Sequence, residues 1–150
     1  AISAAETGHL VFTTLHTTNV MQTIDRIIDL FPSNQHDQIR SQLSLNLRGI
    51  MCMRLLPRAD GTGRVPACEL LIVNPSARKL IKENRILQLD SVIASGQEEG
   101  MLSFNDSLHQ LIRKGLITQE VGMEVSDNPE DLNMLLQGIR LSSRRGGILK

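Results

Sequence analysis

The chain has 150 residues, 41% of them hydrophobic, enough for about one domain with its own core. Its 16 basic and 16 acidic residues cancel, and its only aromatics are 3 phenylalanines, so neither charge nor base stacking argues for nucleic acid. No apolar run approaches the roughly 18–20 residues of a membrane span, and no signal peptide is visible.

Residues 10–15 are the first element. They are apolar, mostly β-branched or aromatic, and do not alternate, which predicts a short strand buried on both faces, as in a parallel sheet. Val20, Ile24, Ile27, Ile28 and Phe31 then recur on one face of a helix, with Thr17, Thr18 and Asn19 before them as candidate caps. His16 therefore belongs at the carboxyl end of a strand feeding a helix, where ligands collect in open α/β sheets and a helix N-terminus favours anions. A hydrogen-bonded structural histidine is the alternative.

Ser33 is placed to cap a helix running to about Arg48, with Ile39, Leu43 and Leu47 inward and Gly49 ending it. Residues 50–56 and 65–73 read as two strands, joined through Asp60-Gly61. Pro66 puts the second at or near an edge. From Asn74-Pro75 the pattern turns to short helices. Ala77, Leu80 and Ile81 mark one; Ile86, Leu89 and Ile93 mark the next, stopped by Ser95-Gly96. Ser103 with Asp106 forms a capping-box pattern ahead of Phe104, Leu108, Leu111 and Ile112, closed by Gly115. A short helix follows Thr118, and Asn128-Pro129 opens the last, with Leu132, Leu135, Leu136 and Ile139 inward. The stretch 140–150 is basic and glycine-containing, which predicts a disordered tail. Cys52 and Cys68 lack any metal-ligand spacing and read as two buried reduced thiols.

The string Ala4-Ala5-Glu6-Thr7-Gly8-His9-Leu10-Val11, followed by Thr14-Leu15-His16-Thr17, closely resembles the histidine box of the secretion and type IV pilus motor ATPases. Thr23-Ile24-Asp25-Arg26-Ile27-Ile28-Asp29-Leu30-Phe31-Pro32 is similar to the continuation in the pilus retraction branch, the twitching-motility ATPases, and the resemblance extends to about residue 138. Relatives in the secretion and assembly branches usually carry a four-cysteine zinc knuckle after the region matching residues 50–57. Here that place holds Pro57-Arg58-Ala59-Asp60-Gly61-Thr62-Gly63-Arg64, a short turn that favours the retraction branch.

The resemblance implies an α/β fold: residues 1–73 as the C-terminal part of a RecA-like P-loop ATPase core with a three-layer sheet, then an α-helical region over 74–139. It implies a cytoplasmic homohexamer, peripheral at the inner membrane, that hydrolyses ATP with Mg2+ and works on a membrane-embedded pilus platform protein. His16 and His9 become support or sensor residues, with Thr14 and Thr17 near the phosphate. Regular strand geometry separates the two histidines by roughly 20 Å, so His9 is expected to face a neighbouring element or subunit. Ala77, Arg78 and Leu80 stand in place of a motility motif and are expected to couple the motor, although Asn74-Pro75-Ser76-Ala77-Arg78 matches it only in part. The phosphate loop and the acidic strand that precede the box in that family are absent from the sequence. The chain is therefore expected to be a piece of a larger motor and inactive alone. Other readings are a related secretion or assembly ATPase, and a catalytically silent interaction module.

Overall fold

Asn19, Asn74, Ser103, Thr118 and Asn128 each accept a backbone N–H from three residues ahead, so the marked caps set where the helices begin. The computed structural model describes residues 1–139; the basic tail lies outside the described residues. Among these, α1 (Ile2–Glu6), α2 (Val20–Ile28) and α3 (His36–Asn46) precede a hairpin of β1 (Gly49–Pro57) and β2 (Arg64–Ile72). Then come α4 (Pro75–Lys82), α5 (Leu89–Ser95), α6 (Phe104–Arg113), α7 (Gln119–Val125) and α8 (Pro129–Leu136).

The hairpin is antiparallel, with Ile50 opposite Leu71, Cys52 opposite Glu69 and Arg54 opposite Ala67. In its turn Asp60 accepts from Arg58, Thr62 N–H and Thr62 hydroxyl, and these bonds hold its carboxyl well below the usual carboxylate range. Period-two alternation turns Ile50, Cys52, Leu56, Ala67 and Leu71 inward and leaves Met51, Met53 and Leu55 exposed.

The inner face serves two apolar cores. Ile50, Cys52 and Leu71 pack in the first, with Val20, Ile24 and Ile28 of α2, Ile39 and Leu43 of α3, Ala77, Leu80 and Ile81 of α4, and Leu89 and Ile93 of α5. Leu56 and Ala67 pack in the second, with Phe104, Leu108 and Leu111 of α6, Ile117, and Leu132 of α8. One strand pair is therefore the common wall of both.

Several expectations need correction. Residues 10–15 do not form a strand. Leu10 is 79% and Phe12 88% exposed, because a strand buried on both faces takes its cover and its hydrogen bonds from neighbouring strands, and none lies beside it among the described residues. The sheet among those residues is two-stranded. Ser33 does not cap α3: Ser33–Gln35 form a 3-10 turn after Pro32, and α3 starts at His36. Helix α1 has no counterpart in the apolar pattern, and Ile139 is exposed beyond the end of α8. Cys68 is half-buried rather than buried.

Candidate functional site

The box residues from Thr7 on form an irregular segment between α1 and α2, with residues 4–6 inside α1. Gly8 has φ of +89°, a left-handed turn that lets the chain leave α1, and the Thr7 hydroxyl donates to Ala4 carbonyl at 2.9 Å. His9 Nδ1 sits 3.0 Å from that hydroxyl, so His9 belongs to the end of α1. Thr14 and His16 are exposed, and neither side chain bonds another described residue. Thr17 differs. Its hydroxyl lies 2.8 Å from that of Thr23, whose proton is committed to Asn19 carbonyl, so Thr17 donates into α2. Of the expected phosphate-proximal residues, Thr14 therefore presents a free polar group and Thr17 is engaged; His16, the expected support or sensor residue, is free as well.

The start of α2 is not an open anion seat. Asn19 Oδ1 accepts the Gln22 N–H at 2.9 Å, and Glu69 Oε2 accepts the Val20 N–H at 2.7 Å. A carboxylate already occupies the end that the sequence suggested for phosphate. Glu69 is 7% exposed. Burial pushes its carboxyl up; the Val20 N–H opposes this, Asp90 and Asp127 add to it, and Arg54 opposes it. Burial, then Asp127, also raises Asp90.

Arg54, beside Glu69 on the inner face, reaches three acceptors on two segments. Nη2 donates to Asp127 Oδ2 at 2.6 Å, Nη1 to Val125 carbonyl at 3.1 Å, and Nε and Nη2 to Thr18 carbonyl at 3.4 Å. The guanidinium carbon stands 4.0 Å from the centroid of the Phe104 ring, a cation–π contact. Sequence reading passed over Arg54 and Glu69. Their signal is a charged residue at an inward position of an alternating strand, between Cys52 and Leu56 and between Ala67 and Leu71.

The other expected site lies apart. Ala77 and Leu80 are buried in the first core and make helix packing; only Arg78 of the three has polar atoms to offer. It is half-buried, and its Nε is buried with no hydrogen-bond partner among the described residues, so it is not the solvated arginine of an ordinary capped helix. A shallow hollow of about 280 Å3, lined by His109, Arg113, Leu135, Leu136 and Gly138, involves none of these residues. No group of three or more His, Cys, Asp or Glu among the described residues is arranged to hold a metal ion.

A family model described as "Type II/IV secretion system protein" matches residues 1–100. The chain is 47% identical over 133 residues to a "Twitching motility protein" of Neisseria gonorrhoeae, covering 89% of this chain and 36% of that one. It is 43% identical over 131 residues to the "Type IV pilus retractation ATPase PilT" of Pseudomonas aeruginosa, covering 87% and 38%. Its fold is similar to the crystal structure of the pilus retraction motor PilT with bound ADP, at a TM-score of 0.76 and 48% identity over 88% of this chain and 36% of that chain. The chain thus spans little more than a third of the length of these relatives. It belongs to the type II/IV secretion system protein family, and its mixed helix and sheet is that of the ATPase domain's C-terminal part.

Glu69→Gln keeps an acceptor for Val20 N–H and removes the buried charge. Because the folded-state value is raised above 4.5, the wild type gains stability as pH falls through it, fully by pH 4.5, and loses that gain as pH rises. Thermal melts of Glu69→Gln are expected to match or exceed the wild type at pH 7 and to lack this component of the acid-side rise. A clear drop in Tm at pH 7 would show that the charge itself stabilises the fold.

Proposed function

We propose that this chain is part of a hexameric, ATP-hydrolysing motor that retracts type IV pili, acting from the cytoplasm on a platform protein of the inner membrane. The observation that carries the reading is the histidine box itself: His16 and Thr14 stand exposed and unengaged on the segment just ahead of a helix whose Val20 and Gln22 N–H groups are already taken. The names of the relatives, twitching motility protein and retraction ATPase, support the same class. Retraction rather than assembly is supported by the short Arg58–Asp60 turn where the other branches usually carry a zinc knuckle. Among the described residues no helix is long and apolar enough to cross a membrane.

Bound ATP and Mg2+ supply the phosphoryl group and most of the charge neutralisation, and such transfer is mainly positioning plus electrostatics. The residues present fit an edge of that site and not its cradle: two hydrogen-bonding side chains face solvent, and among the described residues no group of three His, Cys, Asp or Glu is arranged to hold the ion. His16 is proposed to bond the terminal phosphate or orient the attacking water, with Thr14 as a second polar contact. Thr17 holds the loop to α2 through Thr23. His9, bonded at the end of α1, is proposed to face a neighbouring element or subunit rather than the same phosphate. Arg78 is proposed to couple the motor to its load, because its Nε is buried with no hydrogen-bond partner among the described residues.

A catalytically silent module predicts a different result at His16. In the full-length protein carrying this chain, His16→Ala should lower ATP turnover by about ten- to a thousand-fold, the scale for losing one polar stabilising group, with nucleotide affinity changing much less. Unchanged turnover in a folded hexamer removes His16 from the mechanism.

The 150 residues alone are proposed neither to bind nor to hydrolyse ATP, since no Gly-x-x-x-x-Gly-Lys-Ser/Thr loop occurs in them. Calorimetric titration with Mg-ATP should give no saturable heat; micromolar binding would contradict this.

Arg78→Ala should leave turnover and assembly near normal while cells lose pilus retraction. Purified-enzyme rates beside a twitching assay at matched protein levels make the comparison. Loss of both would place Arg78 in the hydrolysis step, and normal retraction would make it a packing residue of α4.

A further inference from the structure

We propose that Arg54 is a positioning residue that sets the histidine-box segment and ties it to the C-terminal helices, so that hydrolysis and the α6–α8 layer move as one unit. The inference rests on the reading of His16 given above.

Three observations carry it. The guanidinium joins segments far apart in sequence: Thr18 carbonyl, two residues after His16; Val125 carbonyl, near the end of α7; and Asp127, in the link to α8. It does so from the inner face of β1, between Cys52 of the first core and Leu56 of the second, with the Phe104 ring beneath it. Its side chain is only 20% exposed, so these partners replace much of its water.

The geometry also makes the box segment depend on Arg54. Residues 9–15 have no regular structure, and the segment is anchored where it meets α2: Thr17 to Thr23, Thr18 hydroxyl to Gln22, Val20 N–H to Glu69, and Thr18 carbonyl to Arg54. Of these anchors, only Arg54 and Glu69 reach outside α2 and the loop leading into it. Of the two, only Arg54 is also bonded to the C-terminal layer. A shift of the α7–α8 link at Asp127 is thereby passed to the carbonyl two residues from His16. A planar fork is needed for this, since a lysine ammonium cannot reach three divergent acceptors while stacked on a ring.

The test is ATP turnover by the full-length hexamer carrying His16→Ala, Arg54→Ala, Arg54→Lys, and His16→Ala with Arg54→Ala. Arg58→Ala in the hairpin turn is the control. Arg54→Ala is expected to lower kcat about ten- to a hundred-fold with KM within about threefold, and Arg54→Lys to recover little of it. The double variant should be no slower than His16→Ala alone, because Arg54 acts through His16; a structural defect would multiply the two losses. Should Arg54→Ala not fold, Asp127→Asn, at a carboxylate 58% exposed, removes the charge that strengthens the shortest of the bonds and should lower kcat several-fold with little change in Tm. Wild-type kcat in folded Arg54→Ala or Asp127→Asn, full rescue by lysine, or multiplied losses in the double variant overturns the proposal. If His16→Ala is slow and Arg54→Ala is not, the box reading stands and only this inference falls. Wild-type rates in both bring down the two together.

Discussion

A charged side chain on the inward face of a strand must find partners for its hydrogen-bonding groups or carry the cost of leaving water unpaired. The β1–β2 hairpin has two such residues in the middle of its inner face, Arg54 and Glu69, flanked by apolar side chains that pack in different cores. Much else in the architecture depends on how they are satisfied. Glu69 takes the first N–H of α2, which fixes where that helix starts against the sheet. Arg54 takes carbonyls from the loop before α2 and from the end of α7, which fixes the two cores relative to each other.

The polar belt also explains why the box segment is held from behind rather than from within. Residues 9–15 have no sheet neighbour among the described residues, so they are held at their ends, by His9 at α1 and by the stem at the start of α2. The Thr17–Thr23–Asn19 bonds and the caps of α2 make that stem short and rigid, and His16 stands just outside it. A histidine displayed in this way can change partners without disturbing the core.

Legibility in the sequence tracked the range of the interactions. Caps and apolar stripes are local, so Asn74-Pro75, Ser103 with Asp106, and Asn128-Pro129 marked their helices to the residue. The hairpin was readable because alternation and the Asp60-Gly61 turn agree. Residues 10–15 misled because an apolar β-branched run states a preference for burial that only other strands can fulfil. Helix α1 is too short to show a period. The box histidines are candidates through resemblance. Glu69 and Arg54 were not legible, because their partners lie 49 residues before and up to 73 residues after them, and no local rule links such positions. The anion seat at α2 failed for the same reason, since its occupant comes from β2.

The pairing of Met53 with Cys68 and of Cys52 with Glu69 puts the two thiols on opposite faces of the hairpin. Burial raises the Cys52 thiol above its ordinary value, while Cys68 shares the outer face with Met51 and Met53. Cys68 is therefore the more accessible sulfur to an alkylating dye, and it lies on the apolar side of the sheet that the described residues leave uncovered. Labelling speed at Cys68 becomes an optical gauge of whether anything has closed over that side, with Cys52 as its slower internal reference.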